Sequence, residues 1–273
     1  MSDAVFEVVL RRDRLVVLVA LAAITSLAWG YLLWLAADMD MGGMEMSGFR
    51  MIPAGVGLMA PAIAPWHWFE FALVLVMWIV MMVGMMTPSA APMILIYARV
   101  GRLGITQGKP FAASAWFGAG YLLIWSAFSL AATTVQWALE RTTLLDSRMA
   151  SSSSVLGSIV LIAAGAYQWT SLKQHCLSQC QAPLAFIQRQ GGFRRDARGA
   201  LLLGAKHGAY CLGCCWLLMA LLFVGGVMNV LWIAAIAIFV LVEKVTPIGR
   251  LLARIAGLGF VGSGGWLLLR SAM

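Results

Sequence analysis

Apolar residues in this chain run in long uninterrupted blocks, and charged residues gather in the short stretches between them. Blocks long enough to cross a hydrocarbon core of about 30 Å at 1.5 Å per residue begin at roughly Leu15, Trp68, Phe111, Val155, Ala200, Met228 and Leu251. The pattern predicts an all-α polytopic membrane helix bundle with about seven transmembrane helices, a single integral membrane domain over residues 1–273. The sixth block is the shortest before it meets Glu243 and Lys244. The first follows Arg11, Arg12 and Arg14, but Leu15 to Ala37 is longer than the roughly 7–15 residues of a signal-peptide core, so it reads as a span.

The polar stretches set an orientation. With the N-terminus inside, fifteen Lys and Arg residues fall in inside segments and four, Arg50, Arg141, Arg148 and Arg270, fall outside. Basic residues are retained on the cytoplasmic side, so the expected N-terminus is cytoplasmic and the C-terminus periplasmic, in a bacterial inner membrane. Composition agrees: 62% of residues are hydrophobic and 11% charged, against about a quarter charged in soluble domains. Topology accounts for the net charge of +8, so the partners implied are the lipid bilayer and a bound metal ion, with no nucleic acid.

Two loops stand out. Residues 38–67 form a methionine-rich external loop with Met39, Met41, Met44, Met46 and Met51 among Asp38, Asp40 and Glu45, and residues 173–199 form the main cytoplasmic loop. Within the latter, Pro183 to Gln190 has the length of a short interfacial helix. Pro88 and Pro92 remove backbone donors from the second span and are expected to break or kink it. Glycines 257, 259, 262, 264 and 265 predict close packing of the last helix against a neighbour.

The chemistry lies in two short segments. His175, Cys176 and Cys180 occupy one, and His207, Cys211, Cys214 and Cys215 the other, so all five cysteines and two of three histidines sit together. Thiolate and imidazole together suit monovalent copper and zinc, and a reducing cytoplasm disfavours structural disulfides. At about 100° per residue, Gly204, His207, Gly208, Cys211, Cys214 and Cys215 share one arc of the fifth helix, with Gly204 and Gly208 admitting another backbone. His207 and Cys215 are about 12 Å apart in rise, too far for one ion. The expected first site is Cys176, Cys180, His207 and Cys211, with His175 as a substitute, and Cys214 and Cys215 as a deeper step.

Thioethers bind monovalent copper without deprotonation. The external loop methionines are therefore candidate collectors, and Met77, Met81 and Met85, spaced four apart on the second helix, a candidate ladder similar to the Met-x-x-x-Met device of eukaryotic copper importers. With Met82 and Met86 the methionines cover about half that helix's circumference, so some are expected to face lipid or ordinary packing. His67, between Trp66 and Trp68, reads as an interfacial anchor. Glu243 is expected to pair with Lys206.

Met85-Met86-Thr-Pro88-Ser-Ala-Ala-Pro92-Met93, Tyr167-Gln168-Trp-Thr-Ser-Leu-Lys173, Cys176-x3-Cys180-x2-Pro183 and His207-Gly-Ala-Tyr210-Cys211-Leu-Gly-Cys214-Cys215-Trp216-x2-Met219 resemble a bacterial family of unknown function described as predicted metal-binding integral membrane proteins. The resemblance spans roughly Trp68 to Gly257 and implies metal binding without a substrate. The expected function is binding of copper(I), with zinc as the other candidate, and its transport or handover, with a periplasmic or cytoplasmic metallochaperone as a further partner. No nucleotide-binding motif or phosphorylated aspartate is evident. The alternative is a membrane-bound thiol or metal redox enzyme, or a metal-cofactor insertion factor.

Overall fold

The computed structural model describes residues 3–40, 49–61, 64–106, 114–142, 144–145 and 149–272. Helix α1 (Asp3–Asp40) is followed by a small antiparallel hairpin, β1 (Phe49–Met51) and β2 (Met59–Pro61), then α2 (Trp68–Thr106), α3 (Ser114–Arg141), α4 (Ser154–Tyr167), α5 (Ser171–Gln181), α6 (Pro183–Arg189), α7 (Ala197–Ala220), α8 (Leu222–Gly225), α9 (Val230–Val245) and α10 (Gly249–Ala272). Among the described residues, five segments are long and apolar enough to cross a membrane: Leu15–Met39, Trp68–Val100, Ser114–Arg141, Ala197–Gly225 and Gly249–Ser271. A sixth forms if α4 and α5, bent by 64°, make one broken span. The expected all-α polytopic bundle is therefore present. Helix α9, at 16 residues, rises only about 24 Å, so the span expected from Met228 is shorter than the hydrocarbon thickness.

The predicted break at the prolines is absent, since α2 runs as one helix through Pro88 and Pro92. Beside the first proline, Ser89 Oγ and Tyr121 Oη both donate to the Met86 carbonyl, at 2.9 and 3.2 Å. The break falls instead between α4 and α5, where Thr170 Oγ1 donates to the Tyr167 carbonyl at 2.8 Å and accepts from the Lys173 amide at 3.3 Å. One hydroxyl thus closes α4 and caps α5. The short helix expected from Pro183 is present as α6.

Glycine contacts set the two tightest helix pairings. A Cβ on Gly204 of α7 would overlap the Phe117 carbonyl of α3, and one on Gly120 of α3 would overlap the Leu201 carbonyl of α7. On α10, Gly257 and Gly264 face the Gly165 and Ser158 carbonyls of α4, while Gly259, Gly262 and Gly265 meet open space. Only part of the glycine run on the last helix therefore makes the predicted close contact.

Helix α2 packs against α1, α3 and α9, and its methionines are the centre of the core. Met77, Met81, Met82, Met85 and Met86 are all buried, so of the two expected surroundings, lipid or ordinary packing, they have packing. At the start of α2, Arg50 of β1 bonds both carboxylate oxygens of Glu70 at 2.6 and 2.8 Å and donates to the carbonyls of Pro61 and Ala64. The bond to Glu70 raises the Arg50 guanidinium above its ordinary value. Glu140 beside it accepts from Trp66 Nε1 and Gln136 Nε2, and Gln136 in turn accepts from Trp78 Nε1 and reaches Met149 Sδ at 3.2 Å. This clasp ties the hairpin to the start of the methionine-rich core.

Candidate metal centre

The ligand arc read from the α7 sequence faces inward, with His207, Cys211, Cys214 and Cys215 all buried. Helix α3 packs on it because Gly204 and Gly208 leave room, and the approach brings Tyr121 Oη to 3.0 Å from Cys211 Sγ. Helix α9 delivers Lys244, whose Nζ donates to Cys211 Sγ at 2.8 Å and to Ser89 Oγ of α2 at 3.3 Å. Helix α5 contributes Cys180, which is half-buried and lies near Cys211 and Cys214. Four helices and the α5 arm therefore meet at the Cys211 sulfur and its neighbours.

All five cysteines are free of disulfides. The sulfurs of Cys214 and Cys215 donate to the Cys211 carbonyl at 3.0 and 2.9 Å, folded back onto their own helix. Consistent with that collapsed arrangement, no three His, Cys, Asp or Glu side chains among the described residues are spaced as a metal cage.

The other candidates lie apart to different degrees. Cys176 is buried, and its sulfur packs against α7 at Gly213, where a Cβ would sit 2.8 Å from it. His175 is exposed, its ring 6.0 Å from that of Tyr210. His207 is boxed by the rings of Phe117, Tyr121 and Phe186 at 5.9, 5.8 and 5.3 Å, and its Nδ1 has no partner. Met39 belongs to the end of α1 and is half-buried against the core, while Met41, Met44 and Met46 lie outside the described residues. His67 is exposed beside Trp68.

A second buried polar group adjoins the thiols. Lys173 Nζ lies 2.7 Å from Glu243 Oε1, with both side chains fully buried, and also bonds Gln168 Oε1. Glu243 Oε2 and Gln168 Nε2 have no partner. The expected pairing of Glu243 with Lys206 is thus replaced, since Lys206 is exposed and donates to Gln190 at 3.0 Å. The helix break rotates α5 so that Lys173, not Lys206, meets α9.

Sequence reasoning missed Tyr121, Ser89 and the Lys244–Cys211 contact. For Lys244 a signal was available, because an ionisable residue in an apolar helix marks a function by default. For Tyr121 and Ser89 none was, since their importance comes from the register of α2 and α3 on α7.

No curated protein and no solved structure matches the chain. A family model described as copper chaperone matches residues 75–267, which hold the methionine-rich helix, all five cysteines, Tyr121 and Lys244; by that match the chain belongs to the copper chaperone family.

Proposed function

We propose that the protein holds monovalent copper as cargo on the sulfurs of Cys180, Cys211 and Cys214, with Cys215 the next step, and hands it on at the inner membrane. The observation that carries this reading is the buried, inward-facing pair Cys211 and Cys214 on α7, with half-buried Cys180 of α5 near them. Thiolates favour soft ions, and membership of a family named for copper agrees. Loading turns Cys214 and Cys215 away from the Cys211 carbonyl, and each thiol that becomes a ligand gives up its proton to solvent as its metal–sulfur bond forms.

Met77, Met81 and Met85 supply a buried thioether ladder along α2 that ends at Met86, beside Tyr121 and Cys211. In the orientation derived from charge, with the N-terminus cytoplasmic, the thiol centre is on the cytoplasmic side. Met39, Met41, Met44 and Met46 are then on the periplasmic side, where they collect the ion. His207 borders the centre through Tyr121, and Cys176 and His175 flank it on α5. A soluble metallochaperone is the natural recipient or donor at either end.

Anaerobic purification followed by metal analysis tests the reading. Copper copurifies with the wild type and is absent from a Cys180→Ser, Cys211→Ser double variant. Full copper retention in the double variant removes the site. Flux is tested separately, as copper uptake into proteoliposomes that requires the protein and falls in Met81→Leu.

A further inference from the structure

Lys244 is buried, and its ammonium is aimed at a sulfur. The carboxylate next to it in sequence does not neutralise it locally, because Glu243 points to Lys173 at 2.7 Å. Successive residues on a helix diverge by about 100°, so the two charges serve different neighbours. Sulfur donors alone do not distinguish copper(I) from zinc(II), since thiolates bind both. Another element of the site must separate ions of different charge.

We propose that Lys244 makes the thiol centre selective for monovalent over divalent cations, an inference that rests on the metal-binding reading above. Coulomb repulsion scales with the product of the charges, so a fixed ammonium opposes a divalent ion twice as strongly as a monovalent one. That factor holds whatever number of cysteines is deprotonated. Any ion on Cys211 lies close: the nitrogen–sulfur separation is 2.8 Å, and a metal–sulfur bond adds about 2.3 Å, so the two charges are at most about 5 Å apart. Burial weakens the screening of the pair by water and salt. At that separation the discrimination is on the order of a hundredfold. Ser89 accepts from the ammonium on the α2 side, and the Tyr121 hydroxyl, which donates to the Met86 carbonyl, borders the same sulfur at 3.0 Å without adding charge.

The experiment is chelator competition on the detergent-solubilised full chain, under anaerobic conditions, with copper(I) and zinc(II) measured separately. The wild type and Lys244→Arg, which keeps the charge, retain the strong preference for copper(I). Lys244→Leu narrows that preference by roughly a hundredfold. Ser89→Asp, which sets a carboxylate against an intact Lys244, narrows it in the same direction and serves if Lys244→Leu does not fold. Unchanged preference in a folded Lys244→Leu or Ser89→Asp protein overturns the role of Lys244 while leaving copper binding intact. Failure of the wild type to bind copper(I) overturns the function reading itself.

Discussion

The hydroxyl of Tyr121 stands 3.0 Å from the sulfur of Cys211 and 3.2 Å from the carbonyl of Met86. It joins the methionine-rich helix to the thiol cluster through one side chain. Tyr121→Phe removes that hydroxyl and keeps the ring that packs on His207. The expected result is an intact bundle with copper affinity lowered by roughly tenfold, because the hydroxyl proton held by Met86 in this structure can turn to a metal-bound sulfur. Chelator competition reads the affinity, and unchanged helicity confirms the fold.

The Lys173–Glu243 pair joins the α5 arm to α9 with both side chains fully buried. Removing one partner strands a buried charge, so Lys173→Met and Glu243→Gln each destabilise by about 3–5 kcal/mol. The double variant removes both charges and recovers much of that loss. Thermal unfolding in detergent measures all three, and additive losses in the double variant speak against the pair.

Glycine packing makes a sharp contrast. Gly204→Ala drives a methyl into the Phe117 backbone, which cannot yield as a side chain can, and costs about 1–3 kcal/mol by overpacking. It also pushes α3 and Tyr121 away from Cys211, so metal affinity falls with stability. Gly262→Ala meets open space and leaves both unchanged. Equal behaviour of the two variants in unfolding and competition assays contradicts the α3–α7 contact.

Cysteine substitutions divide along the same geometry. Cys211→Ser and Cys214→Ser remove sulfurs at the meeting point and abolish copper retention. Cys176→Ser, whose sulfur packs on Gly213, keeps most of it. Copper-to-protein ratios after anaerobic purification distinguish them.

The reach of the sequence can be read from these residues. The buried face of α7 was legible because a helix has one periodicity, and apolar surroundings gave its cysteines no competing role. The α6 helix and the glycine contacts of α10 with α4 were legible for the same local reasons. The prolines were legible as a break or a kink, and the continuous α2 excludes the break. The turn at Thr170 was overlooked inside an apolar run, although a threonine three residues before a lysine can cap a helix. From that turn followed the wrong partner for Glu243, because the arm's direction decides which lysine reaches α9. The Cys180 contact with Cys214 was hidden likewise, as it depends on the angle between two helices.

The adjacency of Glu243 and Lys244 has a mechanical meaning. One residue holds α5 through Lys173, and the next holds α7 through Cys211. The last turn of α9 therefore works as a yoke across the two helices that supply the sulfurs, and Gln181 strengthens its grip by donating to the Glu243 carbonyl at 2.8 Å. A rotation of that one turn carries opposite charges past both helices at once, so the gap between Cys180 and Cys211 is steered from a helix that carries no sulfur of its own.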